Sequence, residues 1–273
     1  MAFTSEQLRK RLSGQQWTAH NIRLNSEVTT IPGGPDLIET DLRLKALLRV
    51  FSLVFNEDLA GLRIADLGCL EGGFSLALAQ RGADVVGFEA RAKNLEKAQL
   101  LKDHFELSNL EFVLADVKSF SRDRFGLFDA VLALGILYHL DSPAAWLRQV
   151  SAATRKLLIV DSHFAPSDSG SLALIDPRIS SLSPIEKMNH HGTAYEGRWF
   201  FEYGDNVDPE PQLWASYSNR SSFWLTKESL LLAMLHAGFD LVFEQHDYSA
   251  SSYRHFSVTF PRVMLIGIKV HDA

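Results

Sequence analysis

The sequence contains a single cysteine, Cys69, among its 273 residues. One cysteine cannot form an internal disulfide, and it excludes a cysteine-rich zinc site. No apolar run is long enough to cross a bilayer, and the N-terminal segment MAFTSEQLRKRLSG is polar from its start, unlike a signal peptide. These absences predict a cytoplasmic protein without a membrane partner.

Basic residues are also scarce, since 27 Lys and Arg residues face 33 Asp and Glu residues and the net charge is −6. No basic run is present to follow a phosphate backbone. Nucleic acid is therefore a disfavoured partner, although a local basic patch inside an acidic chain would still allow it. With 46% hydrophobic residues, the chain has enough apolar side chains for one large core.

The chain divides into a leader and one domain. Residues 1–35 predict an irregular leader that ends in the breaker cluster Pro32–Gly33–Gly34–Pro35, and residues 36–273 predict the domain. Residues 36–60 hold one amphipathic helix. Residues 163–223 are rich in serine, glycine, asparagine and aromatic side chains without a sustained period, and they predict a long insertion.

Between residues 62 and 162, short apolar runs alternate with helical patterns, as in parallel strands buried on both faces. The runs are Leu62–Gly68, Ala83–Glu89, Leu110–Ala115, Ala130–Leu134 and Leu157–Asp161. Two last strands are expected near Leu241–Gln245 and Val263–Val270, after a helix capped by Thr226. The pattern predicts a doubly wound α/β fold, with a seven-stranded, mostly parallel sheet, helices on both faces and an antiparallel final strand.

Glycines and acidic residues follow three successive strands of this sheet, where ligands of open α/β sheets bind. Gly68 and Gly72 lie in the segment DLGCLEG after the first strand, and they allow a tight turn close to a ligand. Glu89 ends the second strand, where its carboxylate can accept both hydroxyls of a ribose. Asp116 and Val117 follow the third strand and suit the edge and face of an adenine.

Each of these features also has an ordinary explanation. Any α/β protein needs glycine turns, Glu89 could end a strand in solvent, and Asp116 could form a turn. Their joint occurrence at successive strand ends favours a cofactor site. A nicotinamide-binding domain is the nearest alternative, but its G-x-G-x-x-G fingerprint requires a glycine where Leu70 stands.

Over about residues 40–165, this series resembles the class I, Rossmann-like methyltransferases that use S-adenosylmethionine. The shared features are the acidic glycine-rich loop, the two acids after the second and third strands, and the segment LYHL after the fourth. The resemblance implies that the loop contacts the methionine part, Glu89 the ribose, and Asp116 with Val117 the adenine. The implied cofactor-binding residues are Asp66, Gly68, Cys69, Gly72, Glu89, Asp116, Val117 and Leu134. The family usually has another glycine at the position of Leu70, so the loop departs from the pattern there.

Candidates for the methyl-transfer chemistry follow the fourth and fifth strands. The reaction is an in-line displacement that needs an aligned acceptor, exclusion of water and sometimes a base. Tyr138 is expected to position the acceptor or the methyl group. His139 and His163 are alternative general bases, since imidazole takes up a proton near neutral pH. A histidine at 139 that only caps the next helix is an equally good explanation.

The leader and the insertion supply candidate acceptor-binding residues. They are Trp17, His20, His190, His191, Trp199 and Arg220. The insertion predicts a lid over the acceptor, and a satellite hydrophobic cluster under a long loop is the alternative. No metal is expected, because the histidines and glutamates of the insertion match no compact ligand spacing.

The chain also resembles the family that modifies the wobble uridine of tRNA with a carboxylated S-adenosylmethionine. The resemblance lies in three segments, Trp17–Thr18–Ala19–His20, Tyr138–His139 and Asn219–Arg220. That resemblance implies an arginine such as Arg220 for the extra carboxylate. The leader lysine and the long basic N-terminal region of that family are missing here. The sequence therefore predicts methyl transfer to an oxygen or nitrogen of a small molecule, with tRNA modification and a non-catalytic cofactor-binding protein as alternatives.

Overall fold

A computed structural model describes residues 3–34, 36–168, 170, 177, 179–246 and 261–270. Two compact units are present, Met1–Val117 and Lys118–Ala273. Among the described residues, no helix has both the length and the apolar character of a membrane span.

The helices of the first unit are α1 (Ser5–Leu12), α2 (Leu42–Phe55), α3 (Gly73–Ala79) and α4 (Ala92–Phe105). The amphipathic helix predicted in residues 36–60 is therefore confirmed as α2. The prediction of an irregular leader was wrong for α1. This helix begins after Thr4, which forms a capping box with Gln7, and it buries Leu8.

The strands of the first unit are β1 (Arg63–Leu67), β2 (Asp84–Glu89) and β3 (Leu110–Leu114). They are parallel, and the register pairs Leu67 with Phe88 and Glu89 with Leu114. The residues that follow each strand therefore meet at one edge, as the sequence predicts.

The second unit contributes the strands β4 (Phe128–Leu134), β5 (Thr154–His163), β6 (Glu186–His190), β7 (Thr193–Phe201), β8 (Ser221–Leu225), β9 (Leu241–Gln245) and β10 (Arg262–Ile268). Among the residues that the structure describes, this unit also has α5 (Arg122–Phe125), α6 (Pro143–Ala152) and α7 (Lys227–His236), and a 3-10 turn covers Leu137–His139. Thr226 caps α7 through the N–H of Ser229, which confirms that prediction.

Seven strands form one sheet in the order β3-β2-β1-β4-β5-β10-β9. Strands β4 and β5 are parallel, whereas β10 runs antiparallel to both β5 and β9. Every residue of β4 and β5 from Ala130 to Ala133 and from Leu157 to Val160 is buried, which explains why these strands read as continuous apolar runs. The predicted fold class is confirmed.

A second, three-stranded antiparallel sheet has the order β6-β7-β8. It is built largely from the insertion, in which the sequence shows no sustained period. Two consecutive residues in β7 obscure the alternation of apolar and polar side chains that would predict a strand. Gly197 lies so close to the Trp224 carbonyl and the Phe223 ring that no Cβ fits there, and Arg198 is buried next to it. A glycine and an arginine in the middle of a strand weaken the usual alternation.

Candidate functional site

The loop after β1 has a left-handed backbone at three positions. The φ angles are +73° at Gly68, +52° at Leu70 and +76° at Gly72. A side chain in this conformation costs about 1–2 kcal/mol, so Leu70 is a strained position of the loop at which glycine would be unstrained. The loop is held in place because the N–H of Leu70 donates to Oε2 of Glu89 over 3.0 Å.

Glu89 lies under this loop, with only 4% of its surface exposed. Its Oε1 accepts a hydrogen bond of 2.8 Å from the N–H of Arg91, and burial raises its pKa. A carboxylate has about four acceptor sites, so two backbone donors leave capacity for the adjacent hydroxyls of a ribose. The chemistry of this edge therefore fits a nucleoside.

Two more of the predicted cofactor residues are buried around the loop. Asp66 accepts a hydrogen bond of 2.6 Å from the Ser75 hydroxyl, which ties β1 to α3, and burial raises the pKa of Asp66 to about 6. Cys69 is buried, and burial raises the pKa of its thiol well above the usual range. This cysteine stays protonated at neutral pH and serves as a small packing residue.

The residues after β3 complete this edge of the first unit. Val117 is buried and Asp116 is half-buried, directly before a 3-10 turn. A Cβ at Gly72 would lie 2.7 Å from the ring of Phe112 on β3. Glycine is thus required at 72 both by its φ angle and by the ring beside it.

Trp17 and His20 lie beside the glycine-rich loop. Nδ1 of His20 accepts a hydrogen bond of 3.0 Å from the N–H of Gly73, and burial lowers the pKa of His20 to about 4. Trp17 is 9% exposed, with the ammonium of Lys97 5.8 Å from its ring centre. Glu71, which is not among the residues predicted for the site, is the fully buried residue to which this part of the leader is bonded.

The three catalytic candidates come together in the second unit. The ring of Tyr138 lies 4.3 Å from that of His139 and 4.6 Å from that of His163, measured between centroids. Trp224 of β8 stacks on His163 at 5.2 Å with an interplanar angle of 8°. Leu134, the predicted cofactor residue of this unit, ends β4 and is half-buried.

His139 is bonded to a buried carboxylate of the insertion, Glu202. Its Nδ1 lies 2.9 Å from Oε1 of Glu202, and the exposed fractions of the two side chains are 13% and 2%. Glu202 also accepts hydrogen bonds from the Ser222 hydroxyl and from the N–H of Ser216, over 2.7 and 3.2 Å. The carboxylate is thus fixed in position and orients the imidazole.

Polar groups also fix the surroundings of Tyr138. Arg262 donates two hydrogen bonds of 2.7 Å to Asp161, and its guanidinium lies 5.8 Å from the Tyr138 ring centre. Burial raises the pKa of Tyr138, so the phenol stays protonated. Nδ1 of His163 lies 3.1 Å from the carbonyl of Pro261. Because a carbonyl only accepts, a neutral His163 carries its proton on Nδ1.

The remaining candidates do not join this cluster. His190 and His191 lie at the β6–β7 turn and line a cavity of about 270 Å³ with Arg148 and His236. Arg220 is exposed and pairs with Asp205. Their proposed contact with the acceptor stays a prediction.

Trp199 packs against Phe223, with ring centroids 5.1 Å apart, inside the small sheet. Trp224 of the same sheet contacts Tyr138 at 5.9 Å between centroids. The insertion thus contributes aromatic packing of its own, and its role as a lid stays a prediction.

A family model described as a methyltransferase domain matches residues 58–196, just over half of the chain. The chain therefore belongs to this family, the class I methyltransferases that depend on S-adenosylmethionine, as the sequence predicts.

Curated relatives match over shorter segments. A ubiquinone biosynthesis O-methyltransferase from Psychrobacter arcticus is 40% identical over 91 residues, which cover 32% of this chain and 34% of that protein. One from Ruegeria pomeroyi is 35% identical over 123 residues, which cover 42% of this chain and 47% of that protein. The chain thus matches between a third and a half of the length of these relatives.

Solved structures match over nearly the whole chain. The N-terminal domain of EvdMO1 with SAH bound is 25% identical, with a TM-score of 0.70 and 98% of both chains covered. The same domain in the presence of SAH and D-fucose is 24% identical, with a TM-score of 0.70 and coverage of 98% and 97%. Magnesium protoporphyrin IX methyltransferase from Synechocystis PCC 6803 with bound SAH is 18% identical, with a TM-score of 0.52 and coverage of 87% and 89%. These likenesses confirm the fold.

Proposed function

We propose that this protein transfers a methyl group from S-adenosylmethionine to a hydroxyl oxygen of a small molecule. The observation that carries the proposal is the hydrogen bond between His139, in the 3-10 turn after β4, and the buried carboxylate of Glu202, which follows β7. A hydroxyl is a weak nucleophile until its proton is removed, whereas a deprotonated amine needs no base. A histidine fixed by a carboxylate therefore favours oxygen over nitrogen as the acceptor atom.

The donor is assigned to the first unit. Glu89 would hold the ribose hydroxyls, Asp116 and Val117 the adenine, and the backbone from Gly68 to Gly72 the methionine part. When bound, S-adenosylmethionine supplies a methyl group made electrophilic by its sulfonium. SAH, which is bound in the EvdMO1 and magnesium protoporphyrin IX methyltransferase structures, is the demethylated form of this donor and supports the assignment.

The acceptor is assigned to the cluster around Tyr138 in the second unit. With Nδ1–H donated to Glu202, a neutral His139 has its lone pair on Nε2, which can take the proton of the acceptor hydroxyl. The carboxylate stabilises the imidazolium that forms. The phenol of Tyr138 would orient the acceptor, and the stacked rings of His163 and Trp224 would provide an aromatic wall beside it.

The comparisons support a hydroxylated small molecule. The curated relatives are named O-methyltransferases, and EvdMO1 was crystallised with D-fucose, a sugar rich in hydroxyls. We further propose that the leader, residues 1–35, and the insertion, residues 163–223, cover the active site. The tRNA alternative gains no support from Arg220, whose guanidinium is exposed and already pairs with Asp205.

The test is a methylation assay with S-adenosylmethionine and two acceptor panels, one of phenols, catechols and deoxysugars and one of primary and secondary amines, read by product mass. We expect methyl transfer in the hydroxyl panel. Transfer to amines alone would contradict the proposed acceptor atom. Saturable tRNA binding that weakens as salt rises would instead support the tRNA alternative.

A further inference from the structure

Glu71 is a loop residue whose carboxylate is used entirely within the protein. Its Oε1 accepts hydrogen bonds from the N–H and the hydroxyl of Thr18, over 2.6 and 3.1 Å. Its Oε2 accepts from the N–H groups of Ala19 and His20, over 3.1 and 3.0 Å. Three consecutive N–H groups of the leader thus converge on one fully buried side chain of the glycine-rich loop.

Lys97 of α4 completes this contact. Its Nζ donates to Oε1 of Glu71 over 3.0 Å and to the carbonyl of Gln16 over 2.9 Å, so that one cation holds both the loop and the leader. Burial opposes ionisation of Glu71, but the N–H of His20 and the charge of Lys97 outweigh it and lower the pKa. The carboxylate is therefore ionised at neutral pH.

His20 makes a second connection between the same two segments. Its Nδ1 accepts from the N–H of Gly73, the first residue of α3, over 3.0 Å. A Cβ at Gly73 would lie 2.7 Å from Cγ of His20, so the ring rests directly on the backbone that ends the loop. Leader and loop are thus joined on both sides of Gly72.

We infer that Glu71 is a positioning residue for donor binding: the docking of leader residues 16–20 onto it holds the glycine-rich loop in the conformation that binds S-adenosylmethionine. The inference rests on the proposed donor. It also gives His20 a role in the donor site, different from the acceptor contact expected from the sequence. Because coupling between two equilibria is reciprocal, donor binding must then strengthen the docking of the leader.

The first experiment compares the wild-type protein with Glu71→Gln by calorimetric titration with SAH. The glutamine keeps the size of the side chain, but its amide nitrogen faces a site where every partner is a donor. We expect the Kd for SAH to rise at least about tenfold, the factor that corresponds to 1.4 kcal/mol. The matched control is Glu27→Gln, which breaks an exposed leader ion pair with Arg9, and its Kd should stay within about twofold of wild type.

The second experiment measures hydrogen exchange at the amides of residues 18–20 with and without SAH. In the wild type, SAH should slow exchange at these amides; in Glu71→Gln they should exchange faster, and SAH should no longer protect them. A residue that served only general stability would not remove this ligand-dependent protection. An unchanged Kd in Glu71→Gln, with leader amides that exchange freely, would overturn the inference.

The two measurements also distinguish a failure of the donor assignment from a failure of the inference about Glu71. If the wild type binds no SAH while its leader amides remain protected, the donor assignment fails and the leader contact stands as structure alone. If Glu71→Gln does not fold, His20→Leu and His20→Asn replace it. Asparagine keeps an acceptor for the N–H of Gly73 and should retain SAH affinity, whereas leucine should lose it. Equal affinities for both variants would overturn the coupling.

Discussion

Nδ1 of His139 lies 2.9 Å from Oε1 of Glu202, although 63 positions separate the two residues along the chain. Glu202 is 2% exposed at its side chain and accepts two further hydrogen bonds, from Ser222 and Ser216. A carboxylate held in this way sets the orientation and the proton position of the imidazole.

His139→Gln should lower kcat by about 10²–10⁴-fold, the usual contribution of a general base, and leave the Kd for SAH nearly unchanged. Glu202→Gln should lower kcat by at least about tenfold, because the neutral amide no longer stabilises the imidazolium. The matched control is His246→Gln, which removes an exposed histidine paired with Glu244, and its kcat should stay within about twofold of wild type. If kcat at saturating acceptor is the same in His139→Gln as in the wild type, the base assignment is wrong.

Glu89→Gln should weaken SAH binding by about 10–100-fold, because hydrogen bonds to a charged group are worth about 1.5–3 kcal/mol. The Leu70 and Arg91 N–H groups would also lose a charged acceptor. Isothermal titration calorimetry measures the change. Glu111→Gln, an exposed carboxylate on β3, is the control, and similar Kd values for the two variants would refute the ribose assignment.

Asp66→Asn should raise the free energy of unfolding at pH above 7. Burial raises the pKa of this carboxyl from 3.8 to about 6. The folded state therefore binds the proton more tightly than the unfolded state, and stability is lost as pH rises from about 4 through 6. Ionisation of the buried Asp66 carboxyl lowers the free energy of unfolding by about 3 kcal/mol at neutral pH, and the amide of asparagine avoids this loss. Urea denaturation at several pH values checks this, since the difference from wild type should vanish near pH 4.

His20→Asn should reduce the acid sensitivity of the protein. Burial lowers the pKa of His20 from 6.5 to about 4, although Glu71 and Asp41 act in the opposite direction and Arg43 and Lys97 in the same direction. The unfolded state then binds the proton more tightly, so stability is lost as pH falls from about 6.5 through 4. Ionisation of Asp66 changes the stability in the opposite direction over part of this pH range. The quantity to compare is therefore the difference in the free energy of unfolding between His20→Asn and the wild type at each pH. A pH-independent difference would contradict the assignment.

The strands of the seven-stranded sheet could be predicted because each is specified by a short, continuous stretch of sequence. Each strand from β1 to β5 is an apolar run bounded by turn residues. Asp66 and Glu89 lie at or near the ends of the first two runs, and Asp116 directly follows the third. In a parallel sheet, such positions necessarily share one edge. The small sheet was not predictable in this way, because Gly197 and Arg198 interrupt the alternation of β7.

The amino-acid sequence by itself determined the class I fold, the edge at which a nucleoside-type donor is expected, and the grouping of Tyr138, His139 and His163 after neighbouring strands. Only the tertiary structure decided which residues complete these sites. Glu202 reaches His139 across 63 positions, and Glu71 reaches Thr18 across 53. Both contacts arise from packing between distant segments, and a buried carboxylate shows its function only through the partners that neutralise it.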